Sequence, residues 1–135
     1  MKQPRITRPR FPKGYVENLQ SLLPWSHVQK RLEEARNYWL CTVRPDGHPH
    51  FVPKWGVWVE GKFYFDGSPD TRHVRNIAEN LAVALHLESG GDVVILEGAC
   101  SAYEKPARRL GVKVARAYTA KYAALGYAPA PDQWD

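Results

Sequence analysis

The sequence predicts a mainly β protein, a small antiparallel barrel with flanking helices. Short runs rich in β-branched and aromatic residues recur between residues 38 and 103 and are separated by turn-forming residues. One short helical pattern interrupts them, but helical crossovers do not join the strands throughout, as a parallel sheet would require. At 135 residues, the chain suits a single domain that buries about two thirds of the surface its unfolded form exposes.

The positive charge of the chain is concentrated at its amino terminus. The formal net charge is +5, and five of the 19 basic residues precede residue 14 without an acidic residue among them. The other 14 are balanced by the 14 acidic residues. We expect residues 1–23 to form a basic extended arm and residues 24–135 a single domain. A formally neutral folded part argues against nucleic acid as a partner.

Neither a leader segment nor a membrane span is visible in the sequence. The first 15 residues lack the apolar core of a signal peptide, and no run reaches the roughly 18 apolar residues of a span. We therefore expect a cytoplasmic protein with no membrane association. Cys41 and Cys100 fall in predicted strands, where free thiols behave as small apolar side chains. We expect neither a disulfide nor a metal site from them.

The first predicted helix covers about residues 24–37. Ser26 is the expected N-cap, and Gln29 completes a capping box three residues later. Its apolar stripe consists of Val28, Leu32 and Ala35. We expect this helix to cover one end of the sheet.

The next two elements are strands joined by a hairpin. The first strand, residues 38–43, ends at the Pro-Asp-Gly turn at residues 45–47. The second is predicted to run from Pro49 to Val59, with apolar residues on both faces. Pro53 lacks a ladder donor and Gly56 leaves the backbone open to close approach, which is typical of a strand bent around a ligand.

Three further strands and two helices follow. The strands are predicted at residues 62–66, 82–87 and 93–103. A short helix at residues 71–79 keeps the i, i+3, i+4 apolar spacing. A last helix runs from about residue 105 to residue 125, and one of its faces carries Leu110, Val114, Tyr118 and Tyr122.

The start of the short helix is a candidate phosphate site. Thr71, Arg72 and His73 bring together free backbone N–H groups, the positive end of a helix dipole, a hydroxyl and a guanidinium. A structural interpretation is also open, since Asp70 is an equally good N-cap and can pair with Arg72. Arg75, on the next turn, is interpreted as an ordinary surface charge.

The other candidate residues predict no catalytic side chain and no metal site. His48 and His50 share a strand face and His86 can approach them, but acidic or cysteine ligands at diagnostic spacing are missing. Trp55 and Trp58 either flank a flat ring or fill the core or a dimer interface. The sequence contains no convincing Ser-His-Asp or Cys-His arrangement.

Taken together, residues 31–50, 52–59, 62–88 and 91–100 resemble the pyridoxamine 5′-phosphate oxidase-like flavin-binding split barrels, also called flavin/deazaflavin oxidoreductases. The single turns are common, but their order and spacing over most of the chain are specific. The resemblance implies an antiparallel split barrel of about six strands that forms a homodimer, with flavin sites in the clefts between subunits.

The resemblance also implies a function. We expect a flavin-dependent oxidoreductase in which FMN transfers hydride to or from an unidentified small molecule. One alternative is an F420-dependent reductase of the same fold, whose acidic cofactor tail would meet the basic arm or the cluster of Arg108, Arg109 and Lys113. The other alternative is a non-catalytic flavin- or haem-binding protein.

Carried over residue by residue, the resemblance gives nine cofactor-binding residues. They are Val52, Pro53, Lys54 and Trp55 beside the ring, Phe65 and Asp66 near the cofactor, and Thr71, Arg72 and His73 at the phosphate. His73 stands where the family has lysine, which weakens the positive charge because an unperturbed imidazole is mostly neutral at pH 7. We also expect the family's last strand to be absent here, through truncation or because the partner subunit closes that edge.

Overall fold

The computed structural model describes residues 3–16, 21–102 and 107–130. In these ranges the chain forms three α-helices and six strands. In chain order they are α1 (Trp25–Glu34), β1 (Tyr38–Val43), β2 (Pro49–Lys54), β3 (Val57–Val59), β4 (Lys62–Tyr64), α2 (Arg72–Glu79), β5 (Ala82–His86), β6 (Ile95–Ala99) and α3 (Arg108–Tyr122), which a 3-10 turn at Ala123–Leu125 extends. The predicted mainly β class is confirmed. Residues 3–16 and 21–24 contain no helix or strand, and the predicted domain boundary at residue 24 stays a prediction.

The strands form two antiparallel sheets. A four-stranded sheet has the order β2-β1-β5-β6, and β3 pairs only with β4. Alternate residues of β1 are fully buried on the inner face of the larger sheet, beneath α1 and α2. Within the described ranges, the strands do not close into one continuous barrel.

Two apolar clusters form the core. The larger one joins α1, α2 and the inner sheet face, and its buried members are Leu32, Tyr38, Leu40, Ile77, Leu85, Leu87 and Val94. The smaller one joins α3 to β3, and its buried members are Val57, Val114, Tyr118 and Tyr122. The apolar stripe predicted for the last helix is therefore confirmed at three of its four positions, while Leu110 is partly buried beside them. Strands β3 and β4 contribute residues to both clusters.

The prediction of a single strand from Pro49 to Val59 is wrong. The ladder of β2 ends at Lys54, and a new strand in the other sheet begins at Val57. The backbone of Trp55 and Gly56 bonds to side chains of α3 instead of to a neighbouring strand. We refer to Trp55–Gly56 as the strand break.

The predicted capping box of the first helix is also wrong. Pro24 occupies the N-cap position with an extended backbone, and its carbonyl accepts the first helical hydrogen bonds. Ser26 lies inside the helix, and the Gln29 side chain donates to Glu33. The helix stops at Glu34, before the predicted residue 37, because Ala35 returns to an extended conformation.

The remaining predicted elements differ mainly at their ends. Helix α2 begins one residue later than predicted because Thr71 is its N-cap, a position that Asp70 does not take. Strand β6 covers only part of the predicted residues 93–103, and Tyr103 lies outside the described ranges. The same holds for the predicted start of the last helix at residue 105. Gly126 ends that helix in the left-handed region at φ 90°, as a glycine C-cap does.

Candidate functional site

The candidate site is a pocket of about 340 Å³ beside the strand break. It is lined by Pro53, Lys54, Trp55, Asp66, Tyr118 and Tyr127. Four of these six were expected from the sequence to contact a cofactor. Sequence reasoning missed Tyr118 as a site residue, since its spacing marked it as core, and it missed Tyr127 because no local pattern surrounds it.

Tyrosines of α3 hold the strand break in place. The Tyr122 hydroxyl accepts a hydrogen bond from the Gly56 N–H at 3.0 Å and donates to the Arg36 carbonyl at 2.7 Å. The Tyr118 hydroxyl donates to the Trp55 carbonyl at 3.3 Å. The Trp55 ring stacks on the Tyr122 ring, with centroids 4.8 Å apart and planes 10° apart. The pocket wall at Trp55 therefore has a defined conformation.

Gly56 is required by close packing. A Cβ atom at this position would lie 2.3 Å from the Phe63 ring and 2.8 Å from the Tyr64 carbonyl oxygen. Neither neighbour has room to retreat, because Phe63 packs against the larger core cluster and Tyr64 belongs to β4. Only glycine fits where the chain passes from one sheet to the other.

The opposite wall of the pocket carries a carboxylate with a tyrosine partner. The Tyr127 hydroxyl donates to the Asp66 carboxylate, and the Tyr127 ring meets the Tyr118 ring edge to face at 5.6 Å. Burial raises the pKa of Tyr118, and the negative charge of Asp66 raises it further. Tyr118 therefore presents a neutral hydroxyl at neutral pH.

Lys54 connects the pocket with a hollow at Gly67. Its ammonium lies 5.4 Å from the centre of the Phe65 ring. A Cβ atom at Gly67 would lie 3.8 Å from Lys54 Nζ and 3.4 Å from His73 Nε2. The nearest atom to that Cβ position is Val74 Cγ2, at 3.2 Å, so the lack of a side chain lets Val74 and the two nitrogen atoms lie close to the Gly67 backbone, and we call this place the Gly67 hollow. Burial lowers the pKa of Lys54, while the Asp66 carboxylate opposes this effect.

His73 carries a buried nitrogen with no partner. Its exposed fraction is 6%, and Nε2 makes no hydrogen bond to any described residue. The Phe65 ring lies 6.1 Å away, centre to centre. Burial lowers the pKa of His73, and the positive charges of Lys54 and His50 add to the effect. A buried nitrogen without a hydrogen-bond partner lowers the stability of the fold, and it is available to bind a ligand.

Two further expected phosphate ligands stand at the start of α2, beside the hollow. Thr71 is the N-cap, and its hydroxyl donates to the Ser68 carbonyl at 2.8 Å, which leaves the oxygen able to accept. Arg72 is exposed, and none of the ion pairs found among the described residues involves it. The structural pairing of Arg72 with Asp70, which the sequence left open, is not formed.

The structure does not bring Val52 to the pocket. Its side chain packs against the larger core cluster on the inner sheet face. Trp58 is also a core residue, since it contacts Trp25 edge to face at 6.2 Å. Of the two tryptophans considered for a flat ligand, only Trp55 lines the pocket.

The histidines weighed as ligands lie apart from one another. His50 is on the inner face of the sheet, whereas His86 stacks on Trp39 on the outer face and His48 is exposed beside Asp46. Among the residues that the structure describes, no group of three histidine, cysteine or acidic side chains could hold a metal ion. Cys41 and Cys100 are free thiols. In the same ranges, none of the helices has both the length and the apolar character of a membrane span.

Comparison with known proteins places these features in a family. A family model described as pyridoxamine 5′-phosphate oxidase matches residues 25–133. No curated protein sequence matches the chain.

Several solved structures share the fold. A conserved hypothetical protein from Mycobacterium tuberculosis is 25% identical with a TM-score of 0.64, over 75% of this chain and 68% of that one. An F420 reductase is 24% identical with a TM-score of 0.54, over 80% and 79% of the two chains. The heme storage protein HutZ from Vibrio cholerae is 17% identical with a TM-score of 0.61, over 74% and 76%.

Proposed function

Because this chain belongs to the pyridoxamine 5′-phosphate oxidase family, we propose that it is a flavin-dependent oxidoreductase that binds FMN at the pocket and the Gly67 hollow. The observation that carries the proposal is the unpartnered Nε2 of His73, which shares the hollow with the Lys54 ammonium. A phosphate monoester supplies acceptor oxygens for both nitrogens.

The residues at the hollow suit a phosphate. Lys54 supplies a positive charge, and neutral His73 can donate a hydrogen bond from Nε2 in one tautomer. Helix α2 begins after its N-cap, Thr71, and the Thr71 side chain makes no capping hydrogen bond, so the first N–H groups of the helix are available to an anion. Arg72 is exposed and free to swing onto a bound anion. Together these groups offset the loss of the lysine that the family has at the position of His73.

The pocket suits the flat ring of a flavin. Pro53 and Trp55 offer an apolar wall, and the Asp66–Tyr127 pair offers polar groups on the other side. When bound, FMN supplies the hydride chemistry through its ring. The side chains of this chain are assigned to binding, orientation and exclusion of water, and none is assigned as a nucleophile or a general base. The substrate is proposed to be a small molecule.

The proposal includes a homodimer. Paired residues of β2, β1, β5 and β6 place a mainly apolar row on the outer face of the larger sheet, with His86 and Glu97 as its polar members: Phe51, Pro53, Trp39, Cys41, Ala84, His86, Ile95 and Glu97. Phe51 is 53% exposed and Ile95 61% exposed. This surface continues along β2 to Trp55 at the pocket, so a second copy seated on it would form one wall of each cofactor cleft.

The dimer can be tested by a single charge on that face. Ile95→Lys is expected to reduce the mass measured by light scattering from two chains to one, because burial of an ammonium group in an apolar interface is unfavourable. Leu125→Lys, at an exposed site beyond α3, is the matched control and should leave the mass unchanged. A wild-type protein that stays monomeric at micromolar concentration would contradict this part of the proposal.

Two alternatives are supported by particular observations. An F420 reductase shares the fold, and Arg108 at the exposed start of α3 could meet an acidic cofactor tail, whereas Arg109 and Lys113 already contact Glu60. A heme storage protein also shares the fold. For haem, His86 is the best-placed ligand, because its Nδ1 is 2.8 Å from the Leu87 carbonyl, which orients the ring and leaves Nε2 free to coordinate.

Parallel titrations separate these possibilities. The ligand-free protein is titrated with FMN, riboflavin, F420 and haemin, and binding is followed by quenching of tryptophan fluorescence. FMN is expected to bind at least about tenfold more tightly than riboflavin, because the phosphate adds charged hydrogen bonds. Reduction of the bound flavin by NAD(P)H would distinguish an oxidoreductase from a storage protein. Equal affinity for riboflavin and FMN would show that the phosphate is not bound at the Gly67 hollow. Failure to bind FMN would refute the proposal.

A further inference from the structure

Lys121, on α3 and outside the pocket lining, has a side chain that makes three hydrogen bonds. Its ammonium donates to the Ala35 carbonyl at 2.8 Å, the Tyr38 hydroxyl at 2.7 Å and the Gly56 carbonyl at 3.1 Å. These acceptors belong to three segments that lie 65 to 86 residues away along the chain. A protonated lysine has three N–H donors, so each donor is used.

Two aromatic rings lie beside the Lys121 ammonium. The ammonium lies 4.9 Å from the centre of the Tyr38 ring and 5.6 Å from that of the Tyr122 ring, both of which attract positive charge. The Tyr38 hydroxyl donates onward to the Leu32 carbonyl. The same Tyr122 ring stacks on Trp55. The lysine therefore contacts both the backbone and the aromatic support of the strand break.

We propose that Lys121 is a positioning residue for the pocket: its ammonium holds the Gly56 carbonyl, and so fixes the strand break and the orientation of the Trp55 side chain that borders the ligand. The identity of that ligand as FMN rests on the proposed function. A neutral amine has only two N–H donors for three acceptors, so loss of the proton releases one contact and loosens the break.

The charged and titratable groups that face Lys121 come from every element packed around it. They are Glu33 of α1, Tyr38 of β1 and Tyr122 of α3, and the charge of Arg36, in the loop after α1, acts on Tyr122. Burial lowers the pKa of Lys121 to about 8, and the charge of Glu33 opposes the effect. The proton therefore leaves the folded protein within an accessible pH range.

A purely structural lysine and a positioning lysine differ in their response to pH. The folded pKa is about 8 and the ordinary value is 10.5. The unfolded chain therefore holds the proton more tightly between these values, and this titration alone increases the free energy of unfolding as pH rises. The positioning role makes a different prediction for the site: the affinity for FMN should fall as pH rises and the ammonium loses its proton.

The test follows two signals through this titration, the NMR shift of the Gly56 amide and the dissociation constant of FMN. In the wild type, both are expected to change with a midpoint near pH 8, and the dissociation constant to rise about tenfold, the scale of one hydrogen bond. Lys121→Arg keeps its charge and should abolish the titration of the Gly56 amide and the midpoint near pH 8 in the dissociation constant. Lys113→Met, which removes a surface ammonium of the same helix, should retain them.

The outcomes separate this inference from the proposed function. If FMN does not bind at all, the proposed function fails, while the Gly56 amide still decides whether Lys121 sets the strand break. An amide shift that does not titrate, or that titrates equally in Lys121→Arg, would overturn the positioning role. Lys121→Met should raise the dissociation constant about tenfold at pH 7. A folded Lys121→Met protein with wild-type affinity would also overturn the role, and the wild-type titration decides the question if that variant does not fold.

Discussion

The two ends of the pocket differ in how their polar groups are satisfied. At the strand break, the Gly56 N–H and carbonyl, the Trp55 carbonyl and the Lys121 ammonium all have partners within the chain. At the Gly67 hollow, His73 Nε2 is buried without a partner, and Asn76 Oδ1 on the same helix is in the same condition.

This difference separates structure from binding. Satisfied hydrogen bonds stabilise the fold, because removing one partner leaves the other buried and unpaired. An unsatisfied buried group lowers stability until a ligand completes it. We therefore expect substitutions at the strand break to reduce the free energy of unfolding, and substitutions at the hollow to reduce ligand affinity.

The largest effect is expected from Gly56→Ala. The added methyl group would overlap the Phe63 ring and the Tyr64 carbonyl, so the free energy of unfolding should fall by about 3 kcal/mol. Urea denaturation measures this change. Gly98→Ala, where a Cβ atom meets nothing within 4 Å, is the matched control and should stay within about 0.5 kcal/mol of the wild type. Equal losses in the two variants would show that Gly56 is not close-packed.

Arg72→Ala should lose affinity for FMN without losing stability. The expected loss of binding free energy is about 1.5–3 kcal/mol, the range for a hydrogen bond to a charged group. Because Arg72 is exposed, the free energy of unfolding should change by less than about 0.5 kcal/mol. Fluorescence titration and urea denaturation give the two numbers. Arg75→Ala, one turn further along α2, tests whether the loss of any positive charge on this helix weakens binding. An equal loss of FMN affinity in that variant would count against a phosphate bound at Arg72.

Tyr122→Phe should lower the free energy of unfolding by about 1.5 kcal/mol. The ring and its stacking on Trp55 remain, but the Gly56 N–H loses its acceptor and the Arg36 carbonyl loses a donor. Thermal and urea denaturation both report this loss. Tyr15→Phe removes a hydroxyl from a residue that is 77% exposed and should have no measurable effect. A stable Tyr122→Phe protein would mean that water replaces the hydroxyl.

His73→Leu should change stability less than Gly56→Ala or Tyr122→Phe does, and in the opposite direction. Removing a buried nitrogen without a partner should raise the free energy of unfolding of the ligand-free protein by about 1 kcal/mol. The same change should weaken FMN binding, because the hollow loses a donor. A variant that is less stable than the wild type would show that His73 already has a partner in the free protein.

The pH dependence of stability gives a second measurement on this variant. The pKa of His73 is lowered from its ordinary 6.5, so the unfolded chain binds the proton more tightly. The His73 contribution to stability is complete above pH 6.5 and is lost as pH falls through and below that value. Wild type should therefore lose stability relative to His73→Leu on acidification, and parallel pH profiles would contradict the assignment.

Local patterns in the sequence predicted most of the elements. Strand β1 was predicted with its observed bounds, and helix α2 within one residue, because alternation, turn residues and helical spacing act over a few neighbouring positions. The capping box at Ser26 failed because Pro24 starts the helix first. The strand from Pro49 to Val59 failed because local alternation continues through a break that contacts with α3 determine.

By itself, the sequence determined the mainly β class, the position of the short helix and the resemblance that the family model confirms. Only the tertiary structure placed Lys54 and His73 on one hollow, Tyr118 and Tyr127 on the pocket, and Lys121 on the strand break. The reason is physical. Secondary structure follows from interactions between near neighbours, whereas these contacts join residues far apart along the chain and depend on how the elements pack.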